Sequence, residues 1–169
     1  MVTAKAQLNL RSAKNYFQEH LAVGDYYEQG QKVSGEWIGE GAKRLGLPEV
    51  VRAEAFLALC GNRHPQTGER LTQRLNDTRR SKGQETANRR IFYDFTFSPP
   101  KSVSILALVA QDERLVEAHH RALRIALEEF EQFAAVRLRR KGARGYRVTR
   151  NIVAAQFTHD TSKALDPHP

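Results

Sequence analysis

Asp94-Phe95-Thr96-Phe97-Ser98-Pro99-Pro100-Lys101-Ser102-Val103-Ser104 is the stretch on which the reading of the whole chain turns. Ile91, Phe92, Tyr93, Phe95 and Phe97 are aromatic or β-branched, the types that suit a pleated surface, so the stretch opens as a strand. It closes as a helix start. Ser98 suits an N-cap, and Pro99 and Pro100 suit a first turn, where a missing N–H costs nothing. The helix continues through Val103, Ile105, Leu106 and Leu108. Asp94 interrupts the apolar strand, and a helix N-terminus with Ser98, Lys101 and Ser102 follows it, a natural place for a phosphate. A buried acid beside such a helix start suggests phosphodiester chemistry. A capped strand–turn–helix with an edge aspartate is the plainer reading.

Composition bounds the partners. The chain has 169 residues, enough for one domain with its own core, expected to span 1–169. No apolar run is long enough to cross a bilayer, and the N-terminus lacks the apolar segment of a signal peptide. A cytoplasmic protein without membrane insertion is therefore expected. Cys60 is the only cysteine, which excludes an internal disulfide and a cysteine-based zinc site and leaves a small core residue. The net charge of +8 favours an acidic partner, nucleic acid first. That charge is clustered: residues 61–90 carry eight Lys and Arg against three acids, and residues 137–150 carry seven against none. Clustering of this kind marks a binding surface rather than a merely solvated face. The candidate DNA contacts are Arg74, Arg79, Arg80, Lys82, Arg89, Arg90, Lys101, Arg139, Arg140, Lys141, Arg144 and Arg147.

Residues 2–8 read as a short strand, and Ser12 as the cap of a helix to about His20 that carries Tyr16 and Phe17. Tyr26 and Tyr27 follow Gly24. An aromatic pair ordinarily packs in a core, but a tyrosine near a phosphate site can act as a nucleophile through a covalent phosphotyrosine. The glycines of Gly35-Glu36-Trp37-Ile38-Gly39-Glu40-Gly41-Ala42 mark turns around a short strand, with Trp37 as packing. Residues 49–59 form a helix ending near Gly61, and residues 61–90 read as a long, mobile basic loop, an arm that orders on DNA. Within that stretch His64-Pro65-Gln66-Thr67-Gly68-Glu69 reads as a turn, and His64 is not assigned as a ligand. Apolar residues at Val116, Leu123, Leu127, Phe130, Ala134 and Leu138 predict one long helix over 112–141, with Glu128 and Glu129 facing solvent and Gly142 ending it. His119 and His120 in that helix point about 100° apart, so they do not line one site together. Residues 146–158 alternate as a central strand that delivers His159.

The central stretch closely resembles a hallmark of MobF-class conjugative relaxases (the TrwC/TraI type), three-histidine HUH enzymes that nick plasmid DNA. Further passages carry the resemblance in the same order. Tyr16 falls at the first tyrosine of the family's first pair, with Phe17 in place of the second, and Tyr26 and Tyr27 fall at its second pair. Gly35-Glu36-Trp37, Gly39-Glu40-Gly41-Ala42 and Leu45-Gly46-Leu47 match a family passage. His159-Asp160-Thr161-Ser162-Lys163 with Asp166-Pro167 resembles the family's His-[Asp/Glu]-Thr-Ser-Arg…Asp-Pro-x-x-His-x-His, with Lys163 replacing the arginine. By that register, His168 is a spacer, and Pro169 stands just before the place of the His-x-His pair. The resemblance thus covers essentially the whole chain, which corresponds to the N-terminal part of a relaxase domain.

The resemblance implies an α/β (α+β) fold, an antiparallel β-sheet with helices packed on it, as a partial palm-like relaxase fold. It implies site- and strand-specific nicking and strand transfer of single-stranded DNA at a plasmid origin of transfer, with other conjugation machinery as further partners. Tyr16 would attack the scissile phosphate, and Tyr26 or Tyr27 would serve a second transesterification. Asp94 would orient or deprotonate either the tyrosine or a metal-ligating histidine. His159 would be one of three ligands of a divalent metal, Mg or Mn, with Zn and Ni also suited to imidazole; a lone histidine is no metal site. The alternative is a non-catalytic fragment that binds single-stranded DNA. A small metal nuclease using Asp94 and His159 is the third reading, and it leaves the tyrosines without a role.

Overall fold

The computed structural model describes residues 1–11, 15, 35–72, 78–81, 84–87, 90–140 and 143–158. In chain order the elements are β1 (Val2–Gln7), β2 (Glu36–Ile38), α1 (Glu40–Arg44), α2 (Ala53–Cys60), β3 (Thr78–Ser81), β4 (Gln84–Ala87) and β5 (Phe92–Phe97). They continue with α3 (Lys101–Leu108), α4 (Glu113–Gln132), β6 (Ala135–Arg140), β7 (Ala143–Val148) and β8 (Ala154–Gln156). Among the described residues the strands pair two by two: β1 with β5, β2 with β8, β3 with β4 and β6 with β7. This is the expected α/β class with antiparallel pairing. The chain divides into two compact units, Met1–Glu36 with Pro48–Ser98, and Trp37–Leu47 with Pro99–Pro169.

In the first unit β1 runs antiparallel to β5, with Lys5 across from Asp94, Ala4 from Phe95 and Val2 from Phe97. Tyr93, Phe95 and Phe97 alternate along β5, their rings 6.2 and 6.4 Å apart in turn. Ser98 adds one more rung: its N–H donates to the Met1 carbonyl at 2.9 Å, and the Met1 amino group donates to the Ser98 carbonyl. Ser98 therefore closes the strand pair and does not cap the helix. Helix α3 begins at Lys101, with Pro100 at the N-cap in extended backbone. The reason lies in the sequence. A residue before proline is pushed out of the helical region, so Ser98 before Pro99 and Pro99 before Pro100 both stay extended.

Helix α2 ends at Gly61, as expected, with Phe56 and Cys60 buried and the Phe56 ring edge-on to Phe92 at 5.6 Å. The stretch 61–90, expected as a mobile basic loop with a turn at 64–69, contains that turn and also a hairpin. Asn62, buried, donates from Nδ2 to the Thr72 hydroxyl at 3.0 Å, and Arg63 pairs with Arg70 across the turn. Strands β3 and β4 then pair Arg80 with Glu85 and Arg79 with Thr86. The alternation Thr78, Arg80 against Arg79, Ser81 is a two-residue period, compatible with a polar ribbon. Leu10, Arg11 and Asn15 have helical backbone, while Ser12, expected as a helix cap, lies outside the described residues.

In the second unit Asp112 caps α4, accepting from the Arg114 N–H at 3.2 Å, and the Arg114 guanidinium beside it holds the Asp112 carboxyl below its usual range. Expected to run on to Lys141, α4 stops at Gln132. Residues 135–140 are a strand, paired from Ala135 across to Val148 through Arg140 across to Ala143. Val136 and Leu138 alternate with arginines, a period of two that wins over the looser helical spacing. Lys141 and Gly142, expected at the end of the helix, lie outside the described residues. The Ala134 carbonyl closes the hairpin's root, accepting from the Thr149 N–H, the Thr149 hydroxyl and the Arg150 N–H at 2.7, 3.0 and 3.2 Å. The single central strand expected over 146–158 is two strands. Arg150, at φ 47, turns the chain between β7 and β8, which belong to different pairs.

Candidate functional site

The structure places the expected site residues unequally. Tyr16, Tyr26, Tyr27, Arg74, Lys82, Arg89, Lys141 and His159 lie outside the described residues. Asp94 stands in β5 across from Lys5 and is half-buried, not buried as the sequence suggests. Lys101, exposed, is the first residue of α3. Asp94 and Lys101 belong to different compact units, so the strand–helix stretch that dominates the sequence is divided at Ser98. The Pro100 carbonyl accepts from the Val103 and Ser104 N–H groups at 2.9 and 3.1 Å, and no side chain caps the helix.

The basic candidates occupy ribbons. Arg79 and Arg80 lie in β3, Arg139 and Arg140 in β6, and Arg144 and Arg147 in β7. Arg147 is exposed and sits across from Val136. Arg90 is exposed, with its guanidinium carbon 5.5 Å from the centre of the Tyr93 ring, a cation–π contact that holds it at the foot of β5. Part of what the sequence reads as a loose arm is thus one β-ribbon, β3 with β4.

The metal expectation is met by no described cluster: among the described residues no group of three or more His, Cys, Asp or Glu side chains is placed to hold a metal ion. The described donors alone do not fit a divalent ion. His64 is accounted for otherwise, since its Nδ1 accepts from the Gln66 and Thr67 N–H groups at 3.2 and 3.4 Å as part of the turn. His119 and His120 lie half-buried with ring centres 6.4 Å apart. Burial pushes His119 below its ordinary value, and the neighbouring His120 adds to that.

Two contacts that sequence reasoning missed hold the segment leading to His159. The His120 Nε2 and the Thr158 hydroxyl are 3.1 Å apart, which ties α4 to the residue just before His159. At the far end of α4, buried Glu131 accepts at Oε1 from the Glu40 N–H at 2.9 Å and the Ile152 N–H at 2.8 Å. The Gly41 N–H donates to the Ile152 carbonyl at 2.9 Å. This knot needs its glycines. Gly39 has φ 100, and a Cβ there would stand 2.5 Å from the Ile152 carbonyl oxygen; at Gly41 a Cβ would stand 2.6 Å from the same oxygen. The Gly-x-Gly spacing was the available signal for close backbone approach. Nothing in the sequence separates Glu131 from the solvent-facing Glu128 and Glu129, both of which are exposed as expected.

Comparison with known proteins identifies the setting of these elements. The family model described as TrwC relaxase matches residues 10–169. The multifunctional conjugation protein TraI of Escherichia coli is 36% identical over 157 residues, 92% of this chain and 8% of that protein. A metal-bound structure of the conjugative relaxase TrwC in complex with oriT DNA superposes with a TM-score of 0.73 at 31% identity, covering 99% of this chain and 54% of that one. TrwC complexed with a 27-mer DNA comprising the recognition hairpin and the cleavage site gives 0.73 at 29% identity, covering 99% and 52%. The chain therefore spans about half the length of the solved relaxases it matches and a small part of TraI. No helix among the described residues is long and apolar enough to cross a membrane. With its sequence matched along nearly its whole length and its fold superposed at that level, the chain belongs to the TrwC relaxase family.

Proposed function

We propose that this chain is the N-terminal part of a relaxase domain that nicks single-stranded DNA at a plasmid origin of transfer and takes part in conjugative transfer from the cytoplasm, beside other conjugation machinery. The family match over residues 10–169 carries the reading. The oriT complexes of the similar relaxase support its choice of substrate.

The chemistry balances without an outside energy source. The Tyr16 phenol oxygen attacks the scissile phosphorus, an O–P bond forms to the tyrosine, and the bond to the 3′ oxygen breaks. The 5′ phosphate stays on Tyr16, and the 3′ oxygen leaves with a proton as a free hydroxyl. The phosphotyrosine conserves the bond energy, so rejoining is the same exchange in reverse. A phenol with an ordinary pKa near 10 needs a base or a cation to react at neutral pH. Asp94 is the acid assigned to orienting or deprotonating a reacting group, and Tyr26 or Tyr27 to a second exchange. The reading includes a divalent ion, Mg or Mn before Zn or Ni, with His159 as one ligand; bound, it would supply positive charge to the phosphate. The basic ribbons would hold the DNA backbone, positioning the strand without reading it.

The test is a denaturing gel. The chain is mixed with single-stranded DNA carrying its own plasmid's transfer origin and Mn²⁺ or Mg²⁺, with Tyr16→Phe in parallel. A covalent adduct that disappears in Tyr16→Phe is the expected result. Cleavage without an adduct would point to a hydrolytic nuclease. Salt-sensitive binding without cleavage would make the chain a DNA-binding fragment, and absence of both would overturn the reading.

A further inference from the structure

The β6–β7 hairpin carries a feature that the catalytic reading leaves unused. Tyr146 stands in the middle of β7 and is 76% exposed, far more than a strand tyrosine packed for stability. Its cross-strand partner is Arg137, also exposed. The next pair on the same alternation is Arg139 across from Arg144. The register thus brings two basic residues to one rung of the ladder, where an anionic ligand would be favoured. No acid occurs between residues 135 and 150 to supply that anion from within.

An aromatic ring without cover and a pair of opposed arginines have one ligand chemistry in common: a base attached to a phosphate. We propose that Tyr146 is a base-stacking residue for an unpaired nucleotide of single-stranded DNA, with Arg137 beside the ring and the Arg139–Arg144 pair taking the adjacent phosphate. The inference rests on the DNA-cleaving reading and adds a subsite to it. Successive pairs on one face of a ribbon are about 7 Å apart, comparable with the separation of neighbouring phosphates in an extended strand. Every base has a flat face, so such a contact selects unstacked, single-stranded DNA over duplex rather than one sequence over another. The arginines alone would not make that selection, because a duplex also offers phosphates.

The experiment compares the whole chain with Tyr146→Ala, Tyr146→Phe and Arg144→Ala. The probes are an aminopurine-labelled single-stranded oligonucleotide and its duplex form, titrated over a range of salt. Circular dichroism of each variant reports that the fold is kept, which the exposure of Tyr146 favours. The expected result has three parts. Tyr146→Ala weakens single-strand binding by about tenfold at an unchanged salt slope and leaves duplex binding as it was. Tyr146→Phe retains the affinity and the fluorescence change of a stacked base. Arg144→Ala weakens both probes and lowers the salt slope by about one. If Tyr146→Ala binds single strands like the parent while Arg144→Ala is weakened, the stacking inference is wrong and the DNA-binding reading stands. If the parent chain binds neither probe, both are wrong.

Discussion

Helix α4 and the β6–β7 hairpin follow one another in the chain, and both mix charge with apolar residues, yet they use polar groups in opposite ways. The covered stripe of α4 runs Val116, His120, Leu123, Leu127, Glu131, a spacing of three and four. Its two polar members each reach a distant segment: His120 reaches Thr158, and Glu131 reaches the backbone of Glu40 and Ile152. In the hairpin the order is reversed. Val136 and Leu138 are 42% and 41% exposed, Val148 is 57% exposed, and the arginines have no acid within the ribbon to meet. A polar group taken out of water must be given partners by the fold. A polar group left in water is free to find them in a ligand. The helix therefore reads as the frame of this unit, and the hairpin as its working surface.

The largest expected effect breaks the frame. Glu131→Ala strips acceptors from two backbone N–H groups, and a buried donor left unsatisfied costs about 1–3 kcal/mol. A loss of about 3 kcal/mol is expected by urea unfolding, and Glu131→Gln, which keeps an acceptor oxygen in place, should recover most of it. Leu138→Thr in the hairpin, at an exposed strand position, should change stability by no more than about 0.5 kcal/mol. Equal costs at Glu131 and Leu138 would erase the distinction between frame and surface.

How far the sequence announces this arrangement depends on the kind of signal. Period and punctuation carried well: β1, the short strand β2, β5, the helix ending at Gly61 and the Asp112 start of α4 all stand as the sequence suggests. Two boundaries failed where local signals compete. Ser98 looks like a cap, but two consecutive prolines forbid helical backbone before Pro100. Residues 134–138 fit a helical stripe, while Val136 and Leu138 also fit a strand, and the pairing with β7 decides between them. Contacts between segments far apart in the chain left no trace. Glu131 looks like Glu128 and Glu129 until Glu40 and Ile152 are brought beside it. Of the candidate site, the family motifs pointed to the chemistry proposed above, whereas the contact of His120 with Thr158 was legible only in three dimensions.

That contact supplies a middle-sized test. Removing the Thr158 hydroxyl with Thr158→Val takes away one half-buried side-chain hydrogen bond, for an expected loss of about 1 kcal/mol. His120→Ala should cost a similar amount, and the double variant less than the sum of the two, because the partners share one interaction. Strict additivity in that cycle would show that helix and strand end do not communicate through this pair.

The smallest effect is a pH dependence from the same side of α4. Burial, with the charge of His120 second, lowers the His119 pKa from 6.5. The unfolded chain therefore holds a proton on His119 at pH values where the folded chain has already lost it. Stability tied to this group is complete above about pH 6.5 and declines as pH falls toward the lower folded value, because protonation favours the unfolded form. His119 is only partly covered, so the slope is shallow, and solvent screens the contribution of His120. Thermal midpoints measured downward from neutral pH should drop in the parent chain and drop less in His119→Gln, which cannot titrate. Any slope left in the variant belongs to other groups. A parent midpoint that rises on acidification, or a slope unchanged in His119→Gln, would mean that the half-buried histidine is solvated as well as an exposed one, and that the covered face of α4 is wetter than its hydrogen bonds imply.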